Sequence, residues 1–287
     1  MSSPVKAGSG HAAYGRRLGK ALFNLAMILF ALVNVYPILW MFFSSLKSKG
    51  EFLRNVFALP QTPLFSNYTE AIRVGKLHMG LFNSALTSAL AVTLIVVIAL
   101  IMGYCIARYT FPGRGAVYGL LIAGMLIPIH ALMVPLFIQF NFLNFLNGRF
   151  TLVLPYVAFG LPLAVFLTEG FVSQMPREVE EAAWIDGSSF FQTLLRVVAP
   201  MCRPALSTVI IMAFMDTWNE FSFALILISD ESLKTIPVLL TGFAGVYTVD
   251  YTKMFAALVI ATLPVMGLYL ALNQKVIQGM VAGAVKG

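Results

Sequence analysis

Charged side chains divide this 287-residue chain into long apolar stretches. Five stretches of 19 residues or more contain no Lys, Arg, Asp or Glu, and they run over 21–46, 77–107, 115–148, 150–168 and 254–274. A helix rising about 1.5 Å per residue needs about 20 apolar residues to cross the hydrocarbon core of a bilayer. Each stretch therefore predicts a membrane-spanning helix. The third is too long for one span, and its Asn-rich end, Asn141–Gly148, is interpreted as a loop.

A sixth span is predicted over 204–229, although Asp216 and Glu220 interrupt it. Nearly continuous apolar runs on both sides of these residues favour a membrane span over a soluble amphipathic helix. The first span is interpreted as a retained helix, because it is longer than the apolar part of a signal peptide. The prediction is a tail over 1–20, a transmembrane domain over 21–276 with spans at 21–46, 82–107, 115–140, 150–170, 204–229 and 254–274, and a tail over 277–287.

Composition agrees with a lipid environment. The chain is 59% hydrophobic and 11% charged, whereas soluble globular proteins average about 45–50% and about 25%. The mean hydropathy is +0.86, and a water-soluble enzyme of this length is nearly excluded because it could not bury so much apolar surface.

The net charge of +7 is assigned to membrane topology rather than to a nucleic-acid partner. Eleven of the 19 Lys and Arg residues fall on the cytoplasmic side when the N-terminus is placed inside. We therefore expect a multi-pass protein of the cytoplasmic membrane, surrounded by lipid, with both termini cytoplasmic and no bound nucleic acid.

The residue types of catalytic and metal sites show no usable pattern. Cys105 and Cys202 stand in or beside apolar stretches and are interpreted as small buried hydrophobes. The three histidines lack the spacing of a zinc site or a protease, and the chain has no Gly-x-x-x-x-Gly-Lys-Ser/Thr phosphate loop. The sequence therefore predicts no catalytic residue, no metal and no cofactor in this chain, as expected for a protein that is not an enzyme.

The segment 175–200, between the fourth and fifth spans, begins like a helix that is fixed by its own charges. Pro176 suits the first turn of a helix. Glu178, Glu180 and Glu181 favour the positive N-terminal end of the helix dipole. The acidic start predicts a short helix on the cytoplasmic face.

A turn and a second helix follow. Asp186-Gly187 is expected to end the first helix, with the glycine in a left-handed conformation. Ser189 and Gln192 have the capping-box spacing of a second helix that reaches Pro200. From its physical chemistry, this helix–turn–helix shelf fits either a docking surface for another protein or a plain connecting loop.

Polar residues inside the predicted fifth span form the second candidate site. Asp216 and Glu220 are four residues apart and share a helix face, with Asn219 beside them. Charges are costly in a bilayer, so these side chains are expected to face protein, water or the interface. Two interpretations stay open, a translocation pathway and a hydrogen-bonded contact between helices. Trp218 is included among the candidate pathway residues as a surface for sugar stacking, against the alternative of ordinary packing.

A resemblance to a known family rests first on the 175–200 segment. Glu181-Ala-Ala-Trp-Ile-Asp-Gly187, followed by Pro200 and Pro204, resembles the EAA loop of ABC importer permeases. Two residues depart from that pattern, since Ser188 stands where alanine is usual and Ala199 stands where leucine often precedes the proline.

Other segments extend the resemblance over nearly the whole chain after Lys20. They resemble carbohydrate-uptake permeases, in particular the smaller subunit of maltose-type systems. The matching segments are Pro128 and Pro135–Phe137 in the third span, Asp216–Phe221 in the fifth, Lys234–Pro237 in the next loop and Gly279–Gly287 at the end.

The resemblance implies an all-α membrane protein with six transmembrane helices, the type I ABC importer permease fold and a cytoplasmic coupling helix. The residues of the coupling site would be Glu181, Ala182, Ala183, Asp186 and Gly187. The tail Gly283–Gly287 is expected to insert toward the ATPase interface.

The implied partners are a second homologous permease subunit, two ATPase subunits that bind ATP and Mg, and an extracytoplasmic sugar-binding protein. The implied activity is sugar import by alternating access, and the resemblance leaves the sugar open. The alternative is a single-component secondary transporter or another polytopic membrane protein. The discriminating feature is the 175–200 segment, which only the ATP-driven importer needs.

Overall fold

A computed structural model describes the backbone of residues 9–243 and 250–284, and the side chains of residues 19–243 and 250–272. Residues 1–8 of the predicted N-terminal tail, and all side chains of the predicted C-terminal insertion at Gly283–Gly287, lie outside these ranges. Every regular element within the described ranges is a helix.

The helices alternate between long apolar elements and short connecting ones. They are α1 Ser9–Ser45, α2 Lys49–Arg54, α3 Ser66–Val74, α4 Leu77–Arg108, α5 Arg114–Gly124, α6 Met133–Phe142, α7 Val153–Ser173, α8 Glu178–Ile185, α9 Phe190–Thr193, α10 Ala199–Met201, α11 Arg203–Asn219, α12 Ser222–Leu227, α13 Ile236–Leu240 and α14 Tyr251–Ala284. A π turn, Leu194–Val198, joins α9 to α10, and 3₁₀ turns lie at Ile129–Leu132, Glu231–Leu233 and Thr241–Phe243.

Four of these helices, α1, α4, α7 and α14, are long and apolar enough to cross a membrane. Two further pairs pass the same length and composition test but are bent, by 95° at the break between α5 and the turn before α6 and by 79° at the break between α10 and α11. The fold has six spans if each bent pair counts as one.

The predicted third span, 115–140, is broken rather than continuous. Helix α5 ends at Gly124, and Pro128 adopts an extended backbone before the chain turns into α6. Proline has no N–H to donate and disfavours a helical conformation in the residue before it, so a helix cannot run through this position undisturbed. The sequence analysis noted Pro128 but did not predict the bend.

The predicted fifth span, 204–229, is broken as well. Helix α11 ends at Asn219, Glu220 has an extended backbone, and α12 begins at Ser222. Irregular backbone at membrane depth is tolerated where it is buried in protein or lines a cavity, and Glu220 lies at such a cavity, described below.

The centre of the bundle is the contact of α4 with α7 and α11. Small residues bring the backbones together, and a Cβ built on Gly103 of α4 would lie 2.9 Å from Thr168 of α7. Close approach of this kind favours packing between membrane helices, which gain little from the hydrophobic effect against each other. The buried side chains of this core are Ile95, Ala99, Ile106, Ala164, Val165, Val209 and Ala213.

Helix α1 lies at the edge of the bundle. Its apolar side chains are exposed along the span, and its main helix contact is with α14, where Trp40 and Phe255 pack edge to face at 5.1 Å. Exposed apolar surface of this extent needs lipid or another protein to cover it.

The bundle end that carries the start of α4 is tied together by polar contacts. The side-chain oxygen of Asn147 accepts hydrogen bonds from the backbone of Ser229 at 2.6 Å and of Asp230 at 2.9 Å. Asn83 of α4 donates to the carbonyl of Ser232 at 2.8 Å. These contacts join α4, the α6–α7 loop and the loop after α12 into one layer.

Candidate functional site

The first half of the 175–200 segment folds as its sequence indicates. Helix α8 has three glutamates in its first turn and ends before Asp186. Gly187 has φ of +81°, a left-handed conformation that residues with a side chain rarely adopt. The backbone N–H of Ser189 donates to the side chain of Gln192 at 2.9 Å. The predicted glycine turn and capping box are therefore confirmed.

The second half contains a π turn that the sequence analysis did not predict. The N–H of Ala199 donates to the carbonyl of Leu194, five residues earlier. Pro200 follows immediately and brings no N–H of its own. Leu194 and Val198 of this turn are buried at 1% and 0% exposure, so the segment is firmly packed on the bundle.

The predicted coupling residues lie together on the outer side of this segment. Glu181, Ala182, Asp186 and Gly187 are exposed, and Ala183 is half-buried. A Cβ built on Gly187 would meet no atom within 4 Å. The surface around them is apolar, and we call it the exposed patch, formed by Val179, Trp184, Ile185, Phe191 and Leu195.

The exposed patch is unusual because three of its five apolar side chains, Ile185, Phe191 and Leu195, are mostly exposed. Ile185 is 86% exposed and Phe191 is 65% exposed. Contiguous exposed apolar surface with polar residues at its edge is typical of a protein–protein contact.

Glu180, in the acidic first turn of α8, forms a buried ion pair with Arg108 that was not predicted from the sequence. The Arg108 Nε lies 2.7 Å from the Glu180 Oε1, with 5% and 2% of the two side chains exposed. The Tyr104 hydroxyl donates to the other carboxylate oxygen at 3.0 Å. The sequence did contain a signal for this ion pair, because Tyr104 and Arg108 are four residues apart at the end of a charge-free span and therefore share a helix face. Arg108 was used only in the count of positive residues on the cytoplasmic side.

The second candidate site is a cavity beside α11, which we call the α11 cavity. It has a volume of about 410 Å³ and lies chiefly between α7 and α11. Its lining combines apolar and polar side chains, namely Ile95, Ile129, Pro155, Tyr156, Phe159, Gly160, Ala213, Met215, Asp216, Thr217, Asn219, Glu220 and Phe223.

Three of the four predicted pathway residues lie at this cavity. Asp216, Asn219 and Glu220 line it, whereas Trp218 does not. Trp218 is 3% exposed, its indole N–H donates to the carbonyl of Ala261 on α14 at 3.1 Å, and its ring stacks on Phe214. Trp218 is therefore a packing residue, the alternative that the sequence analysis left open for it.

Glu220 and Asp216 have different surroundings. Glu220 Oε1 accepts from the Phe223 N–H at 2.7 Å, while Oε2 accepts from the Ala224 N–H at 3.1 Å and from the Tyr156 hydroxyl at 2.8 Å. Glu220 thus satisfies the free N–H groups at the start of α12. The Asp216 side chain, by contrast, is exposed at the cavity and caps none of the described helices.

Comparison with known proteins agrees with this architecture. A family model described as "Binding-protein-dependent transport system inner membrane component" matches residues 95–280. The chain is 34% identical to the sulfoquinovosyl glycerol transport system permease protein SmoH of Agrobacterium fabrum, over 94% of this chain and 95% of that protein.

Two further similarities are informative. The chain is 30% identical to the trehalose/maltose transport system permease protein MalG of Thermococcus litoralis, over 94% of this chain and 98% of that protein. Its fold matches that of a chain in the crystal structure of a bacterial ABC transporter that imports the acidic polysaccharide alginate, with a TM-score of 0.79, 22% identity and coverage of 95% of this chain and 99% of that chain.

Replacing Glu220 is predicted to lower the stability of the folded protein, whereas replacing Asp216 is predicted to leave that stability nearly unchanged. Replacing Glu220→Ala leaves two N–H groups and the Tyr156 hydroxyl without their acceptor, and each unpaired buried group costs about 1–3 kcal/mol. The midpoint of thermal unfolding in detergent should fall clearly. The same substitution at Asp216, on the neighbouring turn, should leave the midpoint nearly unchanged, and an equal loss from both variants would contradict the capping role.

Proposed function

The chain belongs to the binding-protein-dependent transport system inner membrane component family, and on that basis we propose that it is the membrane-spanning permease subunit of an ATP-driven sugar importer. The observation that carries the proposal is similarity over almost the full length to permeases that are named for saccharide transport. The three compared systems handle a sulfoquinovosyl glycerol, the disaccharides trehalose and maltose, and a polysaccharide. A saccharide is therefore the proposed substrate class.

The energy source of this importer would lie in other subunits. The sequence has no phosphate loop, so ATP and Mg would be bound by two ATPase partners. The family description names a binding protein as part of the system, which supports an extracytoplasmic sugar-binding partner. A second permease would cover surfaces that this chain leaves open, the α11 cavity and the apolar side of α1.

The exposed patch is the proposed contact with an ATPase subunit. Its side chains are between 40% and 86% exposed within the described part of the chain, and burying them against a partner removes apolar area from water. Ala182 and Gly187 would let the partner surface approach closely, because neither has a bulky side chain. In this proposal α8 is the coupling helix, and the patch faces the cytoplasm.

The α11 cavity is the proposed contribution of this subunit to the sugar pathway. Its volume of about 410 Å³ is of the size that holds a small ligand. Asp216 accepts hydrogen bonds, and Asn219 both donates and accepts, which suits sugar hydroxyl groups. Phe159, which is only partly buried, offers apolar surface to sugar rings. Alternating access would open this region to one side of the membrane and then to the other.

Copurification is the direct test of the subunit assignment. A tagged chain extracted from its native membrane is expected to bring down a second permease and an ATPase, because the proposed function assigns the α11 cavity and the exposed patch to contacts with these subunits. Mass spectrometry of the purified complex identifies them. A stable homo-oligomer that transports on its own would instead support a single-component secondary transporter.

Gly187→Asp is predicted to abolish sugar-stimulated ATP hydrolysis while the subunit still reaches the membrane. The new side chain strains a position with φ of +81° and projects from the surface proposed to dock. Gly113→Asp is the matched control, because Gly113 has φ of +82° and also meets no atom within 4 Å, but it lies outside the 175–200 segment. Normal hydrolysis and uptake in the Gly187 variant would refute the coupling assignment.

The double substitution Asp216→Ala with Asn219→Ala is predicted to slow sugar uptake about thirtyfold, since two hydrogen bonds of about 1 kcal/mol each are lost and about 1.4 kcal/mol corresponds to a factor of ten. Neither residue is needed for the α12 cap, so the protein should remain folded. Thr208→Ala on the same helix is the control, because Thr208 bonds to the Pro204 carbonyl and does not line the cavity. Uptake at the wild-type rate in the double variant would exclude these side chains from the pathway.

A further inference from the structure

The ion pair of Arg108 and Glu180 joins the end of a central span to the start of α8. Arg108 is the last residue of α4, and Glu180 lies in the first turn of α8. Both charges are almost fully buried. Arg108 donates through a second nitrogen to the carbonyl of Met175 at 2.8 Å, so the same guanidinium also holds the chain that leaves α7.

Apolar side chains surround this pair on the remaining sides. Tyr104 packs against Tyr109 at 5.7 Å and against Phe190 at 5.6 Å between ring centroids. The other buried members of the cluster are Leu100, Ala107, Val172, Met175, Leu194, Val198 and Cys202. The pair is therefore the charged centre of a buried junction between α4, the end of α7 and the 175–200 segment.

A charged centre gives this junction a property that apolar packing lacks. Apolar residues of similar volume often stabilise a protein as well as a buried ion pair does, so stability alone does not account for the charges. Charge-assisted hydrogen bonds fix both a distance and a direction. Removing either partner leaves an uncompensated buried charge, which is strongly unfavourable. Sliding of α8 against the end of α4 is accordingly blocked, and the two helices must move together.

Helix α4 extends from this junction to the α11 cavity. Ile95 of α4 lines that cavity and stands 13 residues before Arg108, a distance of about 20 Å along a helix. Between the two positions, Gly103 holds α4 directly against Thr168 of α7. A displacement of α8 can therefore be transmitted through closely packed residues to α4 and α7, which both line the cavity.

We propose that Arg108 is a positioning residue that transmits movement of the 175–200 segment to α4 through its ion pair with Glu180. The inference rests on the proposed function, because it assumes that the exposed patch docks on an ATPase subunit. The patch is then the surface that receives the movement, and the pair is the joint that passes it to the membrane helices.

The deciding variant is the double substitution Arg108→Met with Glu180→Leu, measured in the reconstituted complex with its ATPase and sugar-binding partners. It removes both charges and keeps the site filled with apolar side chains. The Tyr104 hydroxyl and the Met175 carbonyl lose their partners, so the unfolding midpoint should fall, but the protein should still fold and assemble because no unpaired charge is left. ATP hydrolysis should continue, while the amount of sugar imported per ATP hydrolysed falls about tenfold. A structural role alone would lower the unfolding midpoint without changing that ratio.

Two further variants complete the experiment. Arg114→Met is the control, because Arg114 begins α5 six residues later and has no ion pair among the described residues. Arg108→Lys keeps the charge but loses the fork of the guanidinium, and it should lower the import ratio even if the double variant does not fold. A wild-type import ratio in a folded double variant, or in Arg108→Lys when the double variant fails, overturns the inference.

The same assay separates this inference from the proposed function. If the wild-type complex shows no sugar-stimulated hydrolysis, the proposed function fails, and if Gly187→Asp leaves hydrolysis and uptake intact, the coupling role of the exposed patch fails. If both of those results are as expected and the ratio stays normal without the ion pair, only the role of Arg108 is lost.

Discussion

The close contact between α4 and α7 is the constraint on which the rest of the structure depends. Gly103 sets the separation of these helices, because any side chain at that position would overlap Thr168. Packing and hydrogen bonds, rather than the hydrophobic effect, decide how helices associate in lipid. With α4 held along its length, the α11 cavity is placed beside its middle and the 175–200 segment is placed at its end.

Breaks in two other spans create the polar features of the fold. In a continuous α11–α12 helix, the backbone N–H and C=O groups would have been paired with each other. The break at Glu220 exposes N–H groups of α12, and the Glu220 carboxylate satisfies two of them while it also binds Tyr156. Such backbone is allowed in a membrane protein where it adjoins a cavity. One side chain therefore keeps the break stable and contributes to the cavity wall.

Local features of the sequence predicted much of this structure. Long charge-free stretches identified the membrane helices, and Gly187 and the Ser189–Gln192 spacing identified the turn and the second helix of the 175–200 segment. The motif at Glu181–Gly187 led to the family, which the comparisons confirm. These predictions succeed because hydropathy, helix caps and left-handed glycines depend on neighbouring residues only.

Features that depend on distant residues were not predictable. Glu180 looks like a residue that favours the helix dipole until Arg108, 72 positions earlier, is found beside it. Trp218 and Asn219 are adjacent in sequence, yet Trp218 faces α14 and Asn219 faces the cavity, because the packing of α11 determines the direction of each side chain.

The contact between α1 and α14 also joins helices that are far apart in the sequence. Because α1 rests mainly on α14, it lacks its principal helix neighbour until α14 has been synthesised, so α1 can dock on the bundle only after the α4, α7 and α11 segments have already left the ribosome.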